Sequence, residues 1–143
     1  MKKIILGLCL AIGSQFLFAQ KEISGVIPAK SIEVGGEKLA FNGAGLREKM
    51  FLDLYVGALY VTEKSTDAKT IINADQSMAI TLDIVSGLIS SDKMISAVNE
   101  GFENSMNGNI ASLKDKITDF KTAFKDKIVT GDHFVIAYVK GIG

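Results

Sequence analysis

Between Glu22 and Asn42 short apolar pieces alternate with turn residues: Ile23, Val26-Ile27 and Pro28, then Ile32 and Val34 ahead of Gly35-Gly36, then Leu39 and Phe41. That rhythm predicts strands joined by tight turns. Asn42-Gly43-Ala44-Gly45 reads as a further tight turn, and an unbroken β-rich run from Met50 to Val61 follows Leu46-Arg47-Glu48-Lys49. A strand that long with so few polar residues has both faces at least partly covered. Gly57 within it marks a bulge, or a place where a ligand or another backbone comes close. Asp67 to Ala74 is a short helical stretch anchored by Ile71 and Ile72. In the next strand, Met78 to Val85, Ile80, Leu82 and Ile84 share one face, with Thr81, Asp83 and Val85 on the other.

Two helices come next. Ser90-Ser91-Asp92 offers N-caps, and Met94, Ile95, Val98, Phe102 and Met106 recur at helical spacing up to Asn107-Gly108-Asn109. Ile110, Leu113, Ile117, Phe120, Phe124 and Ile128 are separated by 3, 4, 3, 4 and 4 positions, one stripe of a second helix and no face of a strand. Thr130-Gly131-Asp132 then turns into a last strand, His133 to Val139. Strands, two helices and a strand place the chain in the α+β class, with helices packed on one face of an antiparallel sheet. A strand that runs into a Gly turn normally introduces a hairpin. The stop at Lys140-Gly141-Ile142-Gly143 therefore reads as a truncation, with a partner strand expected beyond it.

The first residues follow a different pattern. Lys2-Lys3, an apolar run from Ile4 to Gly13, Phe16-Leu17-Phe18 and a close on Ala19-Gln20 form a secretory signal layout with cleavage expected after Ala19. Gly13-Ser14-Gln15 interrupts the run and leaves it short of the roughly 20 apolar residues that span a bilayer. Cys9 lies inside the run without small residues just before it, which does not suit a lipoprotein. The expected product, residues 20–143, is exported to a periplasm or the medium, keeps no membrane anchor and contains no cysteine. The full chain is neutral, and loss of the two lysines leaves two net negative charges. That balance offers no basic field for nucleic acid. One Cys and one His rule out a disulfide framework and a zinc site built mainly from such ligands.

Candidate chemistry is sparse. Gly43-Ala44-Gly45 lacks the third glycine of a dinucleotide fingerprint and leads into a strand rather than a helix, so no nucleotide cofactor is expected. His133 has no neighbouring serine or cysteine in sequence and reads as structural or exposed. Arg47 stands out. Between a glycine turn and the most apolar strand, its guanidinium can sit at the mouth of a cavity and hold a carboxylate or phenolate through paired hydrogen bonds; the competing reading is a surface pair with Glu48 or another acid. Tyr55 and Tyr60, five positions apart, point to opposite faces of a regular strand. Asn99 lies at the edge of the first helix's apolar stripe.

The run Leu39-Ala40-Phe41-Asn42-Gly43-Ala44-Gly45-Leu46-Arg47, continuing to Tyr55-Val56-Gly57-Ala58-Leu59-Tyr60-Val61, resembles the chalcone isomerase-like family, in which a Gly-x-Gly-x-Arg turn leads into a similar strand. The order of the later strands and helices resembles it too. The resemblance implies an open-faced β-sandwich, a large antiparallel sheet with helices packed against it and a ligand cleft between. It implies a terminal helix as well, beyond the last strand here. Some members close a chalcone to a flavanone, an intramolecular lyase reaction in which the Arg stabilises charge on the reacting oxygens. Others bind fatty acids with the same Arg and do no chemistry. Here Tyr55 stands where the isomerases carry a catalytic Thr, and Asp92 where they carry a helical Tyr; only Arg47 and Asn99 match. The resemblance therefore implies a non-catalytic binder of a small amphipathic anion such as a fatty acid, with Arg47, Tyr55 and Asn99 as ligand residues and no metal. The alternative is an isomerase using Arg47 and Asn99. Neither the ligand's identity nor an oligomeric state follows from these residues.

Overall fold

A computed structural model describes residues 21–142. The segment read as an export signal lies outside them. Five strands, β1 (Ser31–Val34), β2 (Glu37–Lys49), β3 (Leu52–Val61), β4 (Met78–Ile84) and β5 (His133–Tyr138), form one antiparallel sheet in chain order. Helix α1 (Ala68–Asn73) joins β3 to β4, and α2 (Ser91–Ser105) and α3 (Lys114–Lys121) lie between β4 and β5. This is the expected α+β arrangement, a curled sheet with helices on one side.

Strand alternation divides the apolar residues between two cores. On the helix side, Leu82 and Ile84 of β4 are buried with Ile89, Met94, Phe124 and Ile128, and Tyr55, Ile95, Val98, Phe120 and Phe134 pack around them. Edge-on aromatic contacts run Phe102 to Phe120 to Phe124, with centroids 5.8 and 5.7 Å apart, and Phe134 of β5 lies 5.2 Å beyond. The helices are thereby pinned to the sheet. On the other side Leu39, Ala58, Tyr60 and Ala79 form a second buried cluster with Ile32, Val34, Phe41 and Ala44. Tyr55 and Tyr60 thus face opposite ways, as their spacing predicts.

The end of β5 comes up against the tip of the β1–β2 hairpin. Gly35 and Gly36 turn β1 into β2 at φ +59° and +80°, and a Cβ on Gly35 would stand 2.7 Å from Cγ1 of Val139. Glycine supplies both the left-handed backbone and the room for the end of β5 to meet the tip of the β1–β2 hairpin.

Helix α1 starts on Asp67, whose carboxylate accepts from Lys69 N at 3.3 Å and Thr70 N at 3.1 Å, and from the Thr70 hydroxyl at 2.6 Å. The Thr70 hydroxyl, then the backbone donors, hold the Asp67 carboxyl below its ordinary value. A depressed carboxyl stabilises the fold above its unfolded pKa, and that contribution is lost as pH falls through the folded value. Acidification is therefore expected to fray α1 early, seen as lower amide-exchange protection factors at Lys69 and Thr70 once the intrinsic rates are corrected for pH.

Three sequence readings need correction. Gly43-Ala44-Gly45 is no turn; it lies inside β2, and the chain reverses instead at Met50-Phe51, splitting the predicted Met50–Val61 strand. Both turn residues adopt positive φ, 52° and 65°, which a two-residue hairpin needs and which Asn-Gly usually supplies. For ordinary side chains that backbone costs roughly 1–2 kcal/mol each. Gly57 makes no bulge, being paired in register with Gly45 and Leu82; the shifts fall at Asn42 and between Arg47 and Glu48. At Asn42 the irregularity frees the side-chain amide, which donates to Ser65 O (3.0 Å) and accepts from Ser65 N (2.9 Å), tying down the loop after β3.

The second predicted helix is also broken. Residues 111–113 and 122–124 are single 3₁₀ turns flanking α3, and Ile128 lies beyond helical backbone although it is buried as the stripe requires. The Thr118 hydroxyl donates to Lys114 O and the Thr122 hydroxyl to Asp119 O, local competition that shortens the helix.

Candidate functional site

Residues paired across neighbouring strands share a face of the sheet. Arg47, Gly45 and Gly43 of β2 pair with Tyr55, Gly57 and Leu59 of β3, which pair in turn with Ile84, Leu82 and Ile80 of β4. Tyr55, Leu82 and Ile84 belong to the helix-side core, so Arg47 and both β2 glycines lie on that side too. Over β2 the helix layer stops short. A Cβ at Gly43 or Gly45 would meet no heavy atom within 4 Å, and Ile80 remains 44% exposed. The outcome is an open shelf floored by three glycines, with Leu59 and Ile80 along it and Arg47 and Tyr55 at one end.

Gly43 and Gly45 are two apart, so strand alternation puts both on this shelf; the period-2 spacing was the signal that a turn reading hides. Larger residues there would fill the space.

Arg47 is exposed and, among the described residues, makes neither a hydrogen bond nor an ion pair. Glu48, its neighbour in sequence, projects from the opposite face by alternation and so offers no pairing. The Tyr55 hydroxyl likewise has no hydrogen-bond partner among the described residues, while its ring packs on the helix-side core. Asn99 Oδ1 accepts from Lys121 Nζ at 3.0 Å, a tie between α2 and α3. The structure thus brings Arg47 and Tyr55 together as cross-strand partners, and no hydrogen bond among the described residues joins Asn99 to either.

The opposite face is closed. Tyr60 is 1% exposed, and burial pushes its phenol above the ordinary value, only partly opposed by hydrogen bonds with the Ala29 backbone and the Thr81 hydroxyl. It is a packed, protonated phenol. His133, half exposed, has Nδ1 2.7 Å from Asp83 Oδ1 across the β4–β5 ladder, with no serine or cysteine joining the pair by hydrogen bond among the described residues. No group of three or more His, Cys, Asp or Glu residues that could hold a metal occurs among the described residues. No described helix is long and apolar enough to cross a membrane. A recess beneath α1, lined by Val61, Ile71, Ala74, Ser77 and Met78 among others, has room for about one water.

An unpaired guanidinium beside apolar, glycine-floored surface can hold a planar anion by two parallel hydrogen bonds while the floor takes up a hydrocarbon body. No curated protein matches the chain. The family model of chalcone isomerase-like proteins matches residues 20–143, covering every strand and helix described above, and the chain belongs to that family.

Proposed function

We propose that the protein is an exported, non-catalytic binder of a small amphipathic anion such as a fatty acid. Arg47 holds the charged end, Tyr55 donates its free hydroxyl beside it, and the tail lies along Gly45, Gly57, Leu59 and Ile80. The observation that supports this most is the unpaired Arg47 guanidinium at the end of an unfilled apolar shelf. An isolated arginine surrounded by water needs no such surface, and a core arginine would carry its own carboxylate. Asn99 Oδ1, bonded to Lys121, ties the helix layer together and leaves the amide nitrogen for the ligand.

Native mass spectrometry of the domain from an expression host is expected to show a retained fatty acid. Arg47→Ala is expected to weaken retention by roughly 10- to 100-fold, the worth of a charge-assisted hydrogen-bond pair. A protein that carries nothing, or retention unchanged in the variant, defeats the reading. Steady loss of chalcone absorbance with the purified protein would instead make it an isomerase.

A further inference from the structure

The turn between β2 and β3 is built against its own backbone preference. Met50 and Phe51 are 81% and 100% exposed, both at positive φ, at the tip of a hairpin closed by the Lys49–Leu52 pair. Leu52 adds a third apolar side chain, 50% exposed. Asn-Gly would make this turn without strain. Two large apolar residues held in strained backbone and in water pack against nothing among the described residues, and such outliers concentrate at functional positions.

Charge near the tip is sorted by face. Strand alternation puts Lys49 on the shelf side with Arg47, whereas Glu48 and Asp53, register partners, project from the reverse side, where the Ser24 hydroxyl donates to Asp53 Oδ2 at 2.6 Å. The tip is therefore apolar at its apex and cationic on the shelf side. Met50 and Phe51 together offer at most roughly 400 Å², short of the roughly 800 Å² per partner that a stable protein complex buries. Insertion into a lipid interface needs no such area, only a few apolar side chains with cations beside them.

We propose that this hairpin tip docks the protein on an anionic lipid bilayer, with Met50 and Phe51 among the acyl chains and Lys49 at the headgroups. That orientation turns the Arg47 end of the shelf toward the membrane. The proposal stands on the tip alone and holds whatever the shelf carries.

The test is flotation of the domain 20–143, which contains every described strand and helix, with phosphatidylcholine vesicles with and without phosphatidylglycerol. The domain is expected to float with the phosphatidylglycerol vesicles. Phe51→Ser is expected to weaken that binding about tenfold or more, and Lys49→Gln to reduce the preference for the anionic vesicles. The double variant Met50→Asn/Phe51→Gly restores an ordinary hairpin turn. It is expected to melt roughly 7–20 °C higher and no longer to float, so loss of binding cannot be put down to unfolding. Its fatty-acid retention is expected to match the parent's, which separates this proposal from the ligand reading. A parent domain that does not float, a double variant that floats equally well, or a dimer that only the parent tip forms would each overturn the proposal.

Discussion

Phe124→Ala is expected to cost about 3–5 kcal/mol, the usual loss for a large buried aromatic side chain. Phe124 is 2% exposed and sits between Phe120 and Phe134, so it is the ring through which the helix layer holds the sheet. Its removal takes away both aromatic contacts, the edge-on one with Phe120 and the tilted one with Phe134, and leaves a cavity between the sheet and the helices. The backbone at this position is separately tied, since the Ser91 hydroxyl at the start of α2 donates to Phe124 O. That tie limits relaxation and keeps the cost at the upper end. For a domain of this size the loss corresponds to a fall in Tm of roughly 10–25 °C. Phe102→Ala, at the solvent end of the same aromatic row, is expected to cost much less, because the ring is only half-buried. Thermal melts of the two variants measure the contrast; equal losses would mean that the row does not pin the helices as described.

Local periodicity carried most of the fold. The alternation in Ile80, Leu82 and Ile84 and the helical stripe from Met94 to Phe102 both depend on residues a few positions apart; Leu82, Ile84 and Met94 are buried with Ile95 and Val98 packed against them as the pattern predicts, while Ile80 stays 44% exposed where the helix layer ends. Tyr55 and Tyr60 separate to opposite cores for the same reason. What escaped was set by contacts distant in sequence or by backbone in a costly conformation. Met50-Phe51 carries no turn residue, so the reversal there contradicts local preference, and the glycines of β2 then looked like the missing turn. Asp83, 50 residues before His133, meets it only through the β4–β5 register. Arg47 was legible as a candidate because of its neighbours in sequence. Its freedom from Glu48 was not, since that depends on which faces the two side chains take once β2 is known to be a strand.

Gly45→Phe is expected to weaken ligand retention about tenfold or more while leaving the fold as stable as before or slightly more so. Gly45 is exposed, its backbone lies outside the left-handed region, and nothing stands within 4 Å of a Cβ built on it. A strand-favouring aromatic is therefore accommodated, and it removes the roughly 0.5–1 kcal/mol that an interior glycine costs a strand. Its ring can lie along the shelf beside Gly57, the cross-strand partner, whose own Cβ position already touches the Tyr55 ring. That same position is the floor on which the tail of an amphipathic anion would rest. Filling it should reduce retention of a fluorescent long-chain fatty acid by about tenfold or more, the penalty of overfilling a fitted apolar site. Arg47 is untouched, so a ligand recognised only by its charged end would bind the variant as well as the parent. The two measurements therefore move in opposite directions only if the bare glycines are kept for a ligand: a core or turn glycine would lose stability on substitution, as Gly35→Ala is expected to do against Val139.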